Sequence, residues 1–88
     1  MKKITMFTLK TCPFCLQALG FMDALFAENP KYLALEIENI DENEHPDISD
    51  RHDYYYVPTY YVDGVKLHEG AANLDSVRRV FDAALSED

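Results

Sequence analysis

Thr11-Cys12-Pro13-Phe14-Cys15-Leu16 contains both cysteines of the 88-residue chain, three positions apart with a proline directly after the first. On its N-terminal side, residues 3–8 read as a strand. Ile4, Met6, Phe7 and Leu9 leave it little polar face, so it belongs in the middle of a sheet. On its C-terminal side, Cys15, Leu19, Met22 and Phe26 recur at helical spacing, with Leu16 and Leu25 beside them, and form one apolar helix face. The motif therefore lies at a strand-to-helix junction. Proline is favoured at the first helical position, which puts Cys12 at the N-cap. There the sulfur meets unpaired backbone N–H groups and the positive end of the helix dipole. Both favour the thiolate, which is the reactive form. Cys15, one turn further in, can reach back and close a small disulfide ring. An exposed attacker beside a resolving partner is what reversible thiol–disulfide exchange requires. Two buried small hydrophobes would leave Pro13 and the helix start without a reason. Structural zinc needs four ligands, and His45, His52 and His68 have no ligand spacing to the cysteines. No metal site is expected.

The helix ends at Asn29-Pro30. Across residues 32–40, Leu33, Leu35 and Ile37 alternate with Ala34, Glu36 and Glu38, the pattern of a half-buried strand. His45-Pro46 favours a turn, and Pro46 can start a short helix that carries Ile48 inward. Residues 54–62 are dense in β-formers. Asp63-Gly64 is a strong hairpin turn, with the return strand at 65–69. Asn73 or Asp75 can cap a last helix whose buried stripe is Leu74, Val77, Phe81 and Leu85. The order is β-α-β-α-β-β-α. The first two strands, joined through a helix, should be parallel with a right-handed crossover. The last two form an antiparallel hairpin, giving a four-stranded mixed α/β sheet with helices on both faces. No repeat or linker interrupts it, so residues 1–88 are expected to form a single domain.

Composition narrows the function classes. The net charge of −8 repels nucleic acid phosphates. It serves solubility, or the docking of a basic partner. No apolar run is long enough to span a membrane. Met1-Lys2-Lys3 followed by a short apolar stretch reads as the start of a strand and not as a signal peptide. A lone pair of nearby cysteines cannot staple distant parts of the chain, and a reducing cytoplasm is the expected setting. Glu36 and Glu38 read as solvated residues. Arg78 and Arg79 read as complements to the C-terminal half of the last helix.

Order and motif together resemble the minimal thioredoxin fold, and specifically the dithiol glutaredoxin family, over essentially the whole chain. Cys12-Pro13-Phe14-Cys15 resembles that family's active site. Val57-Pro58-Thr59 resembles its cis-proline segment, Asp63-Gly64 its hairpin turn, and Gly70-Ala71 its Gly-Gly before the last helix. The resemblance implies that Cys12 attacks a protein disulfide or a glutathione mixed disulfide, and that Cys15 resolves the intermediate. It implies a cis Pro58 against the cysteine pair, with the Val57 backbone pairing with substrate like an added strand. Glutathione is then the co-substrate, no cofactor is tightly bound, and the protein acts as a monomer reduced by glutathione or by a reductase such as thioredoxin reductase. The resemblance and its neighbourhood give Lys10, Phe14, Tyr56, Val57, Pro58, Gly70, Ala71, Asn73 and Asp75 as substrate- or glutathione-binding candidates.

Four departures bear on glutathione. The family's lysine three residues before the first cysteine is Leu9 here, with Lys10 one place nearer. The threonine before Val-Pro is Tyr56. The second glycine is Ala71. The polar pair at the last helix is matched only loosely by Asn73 and Asp75. The motifs thus carry redox chemistry more fully than glutathione specificity. Two other readings share the motif. One is a dedicated electron donor to a single enzyme, such as a ribonucleotide reductase. The other is a glutathione-ligated iron–sulfur cluster shared between two chains, which Pro13 disfavours within the family.

Overall fold

Five largely buried residues, β1 (Ile4–Thr8), run through the middle of a four-stranded sheet in the computed structural model, which describes residues 1–86. Glu87 and Asp88 lie outside the described residues. The strand order is β2-β1-β3-β4. β1 pairs in parallel with β2 (Ile37–Asp41), from Ile4 opposite Ile37 to Thr8 opposite Asp41. On its other side it pairs antiparallel with β3 (Thr59–Val62), from Ile4 opposite Val62 to Phe7 opposite Thr59. β3 and β4 (Val65–Glu69) form the hairpin. At its turn Asp63 and Gly64 have φ of 47° and 81°. Two left-handed central residues match the right-handed strand twist, and Asp-Gly tolerates them.

The pleat sends β1 side chains to two cores. Ile4 and Met6, with Tyr60 and Val62 of β3, meet helix α1 (Pro13–Glu28) through Ala18, Met22 and Leu25. The same core takes Val77, Val80, Phe81 and Ala84 from helix α3 (Leu74–Leu85). On the opposite face Phe7, Ile40 and Tyr61 lie under Ile48, Tyr54 and Val57. Ile48 belongs to the short helix α2 (Pro46–Ser49), which follows Pro46 as expected. The His52 ring packs tilted against Phe7 and edge-on to Tyr61, at 4.7 and 4.9 Å between centroids. His52 is thus a packed aromatic of the second core.

The structure departs from the expected pattern in four places. The buried stripe of α1 is Cys15, Ala18, Met22 and Leu25. Leu19 and Phe26 flank it half-buried, and Leu16 is exposed. α1 is apolar on most sides, so periodicity alone does not choose the face, and small Ala18 is fully buried on it. Second, residues 30–34 form a 3₁₀ turn and not a strand. Pro30 presets a helical φ, and the Asn29 side chain caps the turn by accepting the Lys31 N–H at 3.1 Å. This turn buries Tyr32 and exposes Leu33. Third, the β-rich run 54–62 becomes strand only at Thr59. Fourth, Leu74 is exposed. Asn73 caps α3 in a reciprocal box with Ser76. Arg78 does not serve the C-terminal half of α3; it bridges Asp75 at 2.8 Å and Glu28 of α1 at 3.0 Å. Lys3 meets Glu38 at 3.1 Å and Glu36 at 3.9 Å.

Three phenols link stability to alkaline pH. Tyr32 donates to Asp82 Oδ1 at 2.6 Å. That bond, followed by burial, raises its pKa to about 12. Burial raises Tyr54, helped by its bond to Glu42, and burial raises Tyr60. A folded pKa above the unfolded value favours the neutral phenol in the native state. The contribution is therefore complete below the unfolded phenol pKa of about 10 and is lost as pH climbs toward the folded values. A urea midpoint followed against pH should fall from about pH 10 upward. Tyr32→Phe should remove part of that fall; an unchanged alkaline slope would count against the Tyr32–Asp82 bond.

Candidate active site

Cys12 sits where β1 hands over to α1, as the N-cap residue with an extended backbone (φ −86°, ψ 116°) and Pro13 next in the first turn. Its carbonyl accepts the first helical bonds, from Cys15 N–H at 3.1 Å and Leu16 N–H at 3.2 Å. The first turn of α1 carries no acidic side chain of its own to offset the positive helix end. The thiol does not cap the helix. Its sulfur lies 3.8 Å from the Val57 carbonyl oxygen, a long S–H···O contact. A neutral thiol is a weak donor, so it turns to a carbonyl and not to the helix N–H groups.

Cys15 lies beneath, 2% exposed on the buried stripe of α1. Burial pushes its thiol well above the ordinary value; contact with the Cys12 thiol adds to this, and a bond from the Leu9 main chain opposes it. The two cysteines are thus unequal. One is reachable at a helix end, and the other is buried and protonated, within hydrogen-bond contact of the first.

The wall opposite Cys12 is the segment before β3. The Val57–Pro58 peptide bond is cis and Pro58 is buried. The Pro58 carbonyl accepts Gly70 N–H at 2.8 Å. Gly70 has φ of 91°, and a Cβ there would stand 3.7 Å from the Tyr56 Cβ. Tyr56, Val57, Pro58 and Gly70 therefore form one wall, which reaches Cys12 through the Val57 carbonyl. Phe14 is half exposed next to the cysteines, and Tyr55 and Tyr56 are open to solvent.

The other candidates are engaged elsewhere. The Lys10 ammonium pairs with Glu44, which raises its pKa. Its N–H donates to Asp41 Oδ2 at 3.2 Å. Asn73 caps α3 and Asp75 holds Arg78. Ala71 is exposed, and its carbonyl and that of Gly70 face His68 Nε2 at 3.1 and 3.0 Å. Among the described residues no group of three or more His, Cys, Asp or Glu side chains is arranged to hold a metal ion. No helix of the described residues is long and apolar enough to cross a membrane. Glu69, which sequence reasoning passed over, accepts the N–H groups of Tyr55 and Tyr56. Nothing local announces it, because the contact joins residues far apart in the chain.

Similar architectures are found among solved structures. The oxidised thioredoxin of Plasmodium falciparum superposes with a TM-score of 0.72 at 16% identity, over 97% of this chain and 82% of that one. Fasciola hepatica thioredoxin gives 0.69 at 17% identity, over 94% and 80%. Thioredoxin 1 of Thermosipho africanus gives 0.60 at 21% identity, over 96% and 99%. No family model and no curated protein matches the chain. At these identities the likeness is one of architecture. The element order, the mixed four-stranded sheet and these superpositions together establish that the chain has a thioredoxin-like α/β fold.

Proposed function

We propose that this protein is a dithiol thiol–disulfide oxidoreductase. The carrying observation is an accessible Cys12 at the start of α1, with buried Cys15 beneath it and the Val57 carbonyl in front. In the forward half-reaction the Cys12 thiolate attacks one sulfur of a substrate disulfide. That S–S bond breaks, and the departing sulfur leaves as a thiolate that takes up a proton. Cys15 then loses its proton and attacks the Cys12 sulfur, expelling the second substrate sulfur. The substrate gains two electrons and becomes a dithiol, while Cys12 and Cys15 end as a disulfide. Two molecules of glutathione, or a reductase, return both electrons. The Val57 backbone is placed to pair with an extended stretch around the substrate cysteine, as an added strand would.

The substrate class is a protein disulfide or a glutathione mixed disulfide, in a reducing cytoplasm. Of the glutathione candidates, Val57 touches Cys12 and Tyr56 and Gly70 adjoin the Val57–Pro58 segment, whereas Lys10, Asn73 and Asp75 have other partners. A thiol or dithiol electron supply at the cis-proline wall is therefore better supported than a complete glutathione pocket. The deciding experiment runs two coupled assays on a mixed disulfide of glutathione with a small thiol. One is driven by glutathione and glutathione reductase, the other by thioredoxin reductase. Turnover in the first alone assigns glutathione as reductant; turnover in the second alone assigns the reductase. Silence in both, with a protein disulfide also refused, would sink the oxidoreductase reading.

A further inference from the structure

The cis-proline wall is irregular chain, and the side chains of Tyr55 and Tyr56 do not hold it, since both are exposed. Main-chain bonds to the end of β4 hold it instead. Glu69 Oε2 accepts Tyr55 N–H at 2.7 Å and Tyr56 N–H at 3.1 Å. Glu69 Oε1 accepts Lys66 Nζ at 2.7 Å. Lys66 Nζ also donates to the Asp53 carbonyl at 3.0 Å, which receives the Tyr61 hydroxyl at 2.8 Å. The Thr59 hydroxyl donates to the Tyr56 carbonyl. Gly70, directly after Glu69, secures Pro58. One carboxylate thus gathers the two N–H groups that immediately precede Val57. The Lys66 ammonium and then those N–H groups lower its pKa to about 2, so it accepts as an anion at neutral pH, in bonds stronger than neutral ones.

We propose that Glu69 is the positioning residue of the substrate wall: it fixes the Tyr55–Tyr56 main chain and so sets where Val57 meets the substrate in front of Cys12. This rests on the oxidoreductase reading for its consequence, and on the hydrogen bonds alone for its geometry. Glu69 touches neither sulfur, and the wall it holds meets Cys12 only through the long 3.8 Å contact to the Val57 carbonyl, so its loss changes chiefly how substrate is placed.

The test compares the full chain with Glu69→Ala and Glu69→Gln. In Glu69→Ala, amide hydrogen exchange at Tyr55 and Tyr56 should accelerate about tenfold or more. KM for a peptide disulfide should rise by about the same factor. Alkylation of Cys12 by iodoacetamide should stay within about twofold, because α1 is untouched. Glu69→Gln keeps an amide oxygen where Oε2 stands and should restore most of the exchange protection and of KM. A change confined to thermal stability would move neither ratio selectively. Unchanged exchange at both tyrosines in Glu69→Ala, or faster exchange with unchanged KM, overturns the proposal. If the wild-type protein reduces no disulfide, the oxidoreductase reading falls, and the exchange data still decide whether Glu69 holds the segment.

Discussion

Cys12→Ser should abolish disulfide reduction, lowering turnover of a protein disulfide on the order of a thousandfold or more, whereas Cys15→Ser should stop the reaction halfway. The asymmetry follows from placement. Cys12 is partly exposed at the helix start, and Cys15 is 2% exposed below it. An external disulfide can reach only the first. Burial also holds Cys15 in the thiol form, so it waits until the Cys12 sulfur has become electrophilic in the mixed disulfide. Without Cys15, the first exchange still proceeds and the covalent intermediate accumulates. Mass spectrometry under non-reducing conditions should find Cys15→Ser joined to substrate and Cys12→Ser unmodified. In the wild type the resolving step should quicken with rising pH, because Cys15 must shed its proton to attack. Recovery of the adduct on Cys12→Ser instead would reverse the two roles.

How far the sequence carries this picture depends on the range of each interaction. The cysteine pair was readable because its signals are local: Pro13 starts the helix, the apolar strand ends just before it, and both cysteines lie within one turn. The hairpin was readable for the same reason, since Asp63-Gly64 fits its turn within two residues. The convergence of Val57-Pro58 on Cys12 spans 45 positions; it came from resemblance to a known family, and no local pattern would have given it. Residues 30–40 misled because alternation in Leu33, Leu35 and Ile37 suits a strand, yet Pro30 and the Asn29 cap close a 3₁₀ turn first. The tyrosine run misled because β-propensity describes fitness for a pleated surface, and this segment leaves the sheet to form the site wall. Lys10 shows a further limit. The family resemblance makes it a substrate- or glutathione-binding candidate, but Glu44, 34 positions away, takes its ammonium. Glu69 was invisible for the same reason.

Phe81→Ala should be the most damaging single truncation of the core, costing about 3–5 kcal/mol. Phe81 is fully buried. Its ring stacks on Phe26 at 5.4 Å and meets Tyr32 edge-on at 5.2 Å between centroids. It therefore joins three segments, α1, the 3₁₀ turn and α3, at the point where no strand pairing ties them. Alanine would remove the shared ring and leave a void between them, at a joint that Arg78 and the Tyr32–Asp82 bond also tie. A domain of this length has a total stability of roughly 4–13 kcal/mol, so the loss takes a large share and can unfold the protein outright at the low end of that range. Leu33→Ala is the matched control, since Leu33 is 67% exposed on the same turn, and its effect should stay within about 0.5 kcal/mol. Urea titration should show the midpoint falling sharply for Phe81→Ala at an unchanged slope. Phe81→Leu, which keeps part of the volume, should fall between the two. A Phe81→Ala midpoint close to that of Leu33→Ala would mean that α3 is held chiefly by its sheet contacts, and that the aromatic trio is not the joint between the helices.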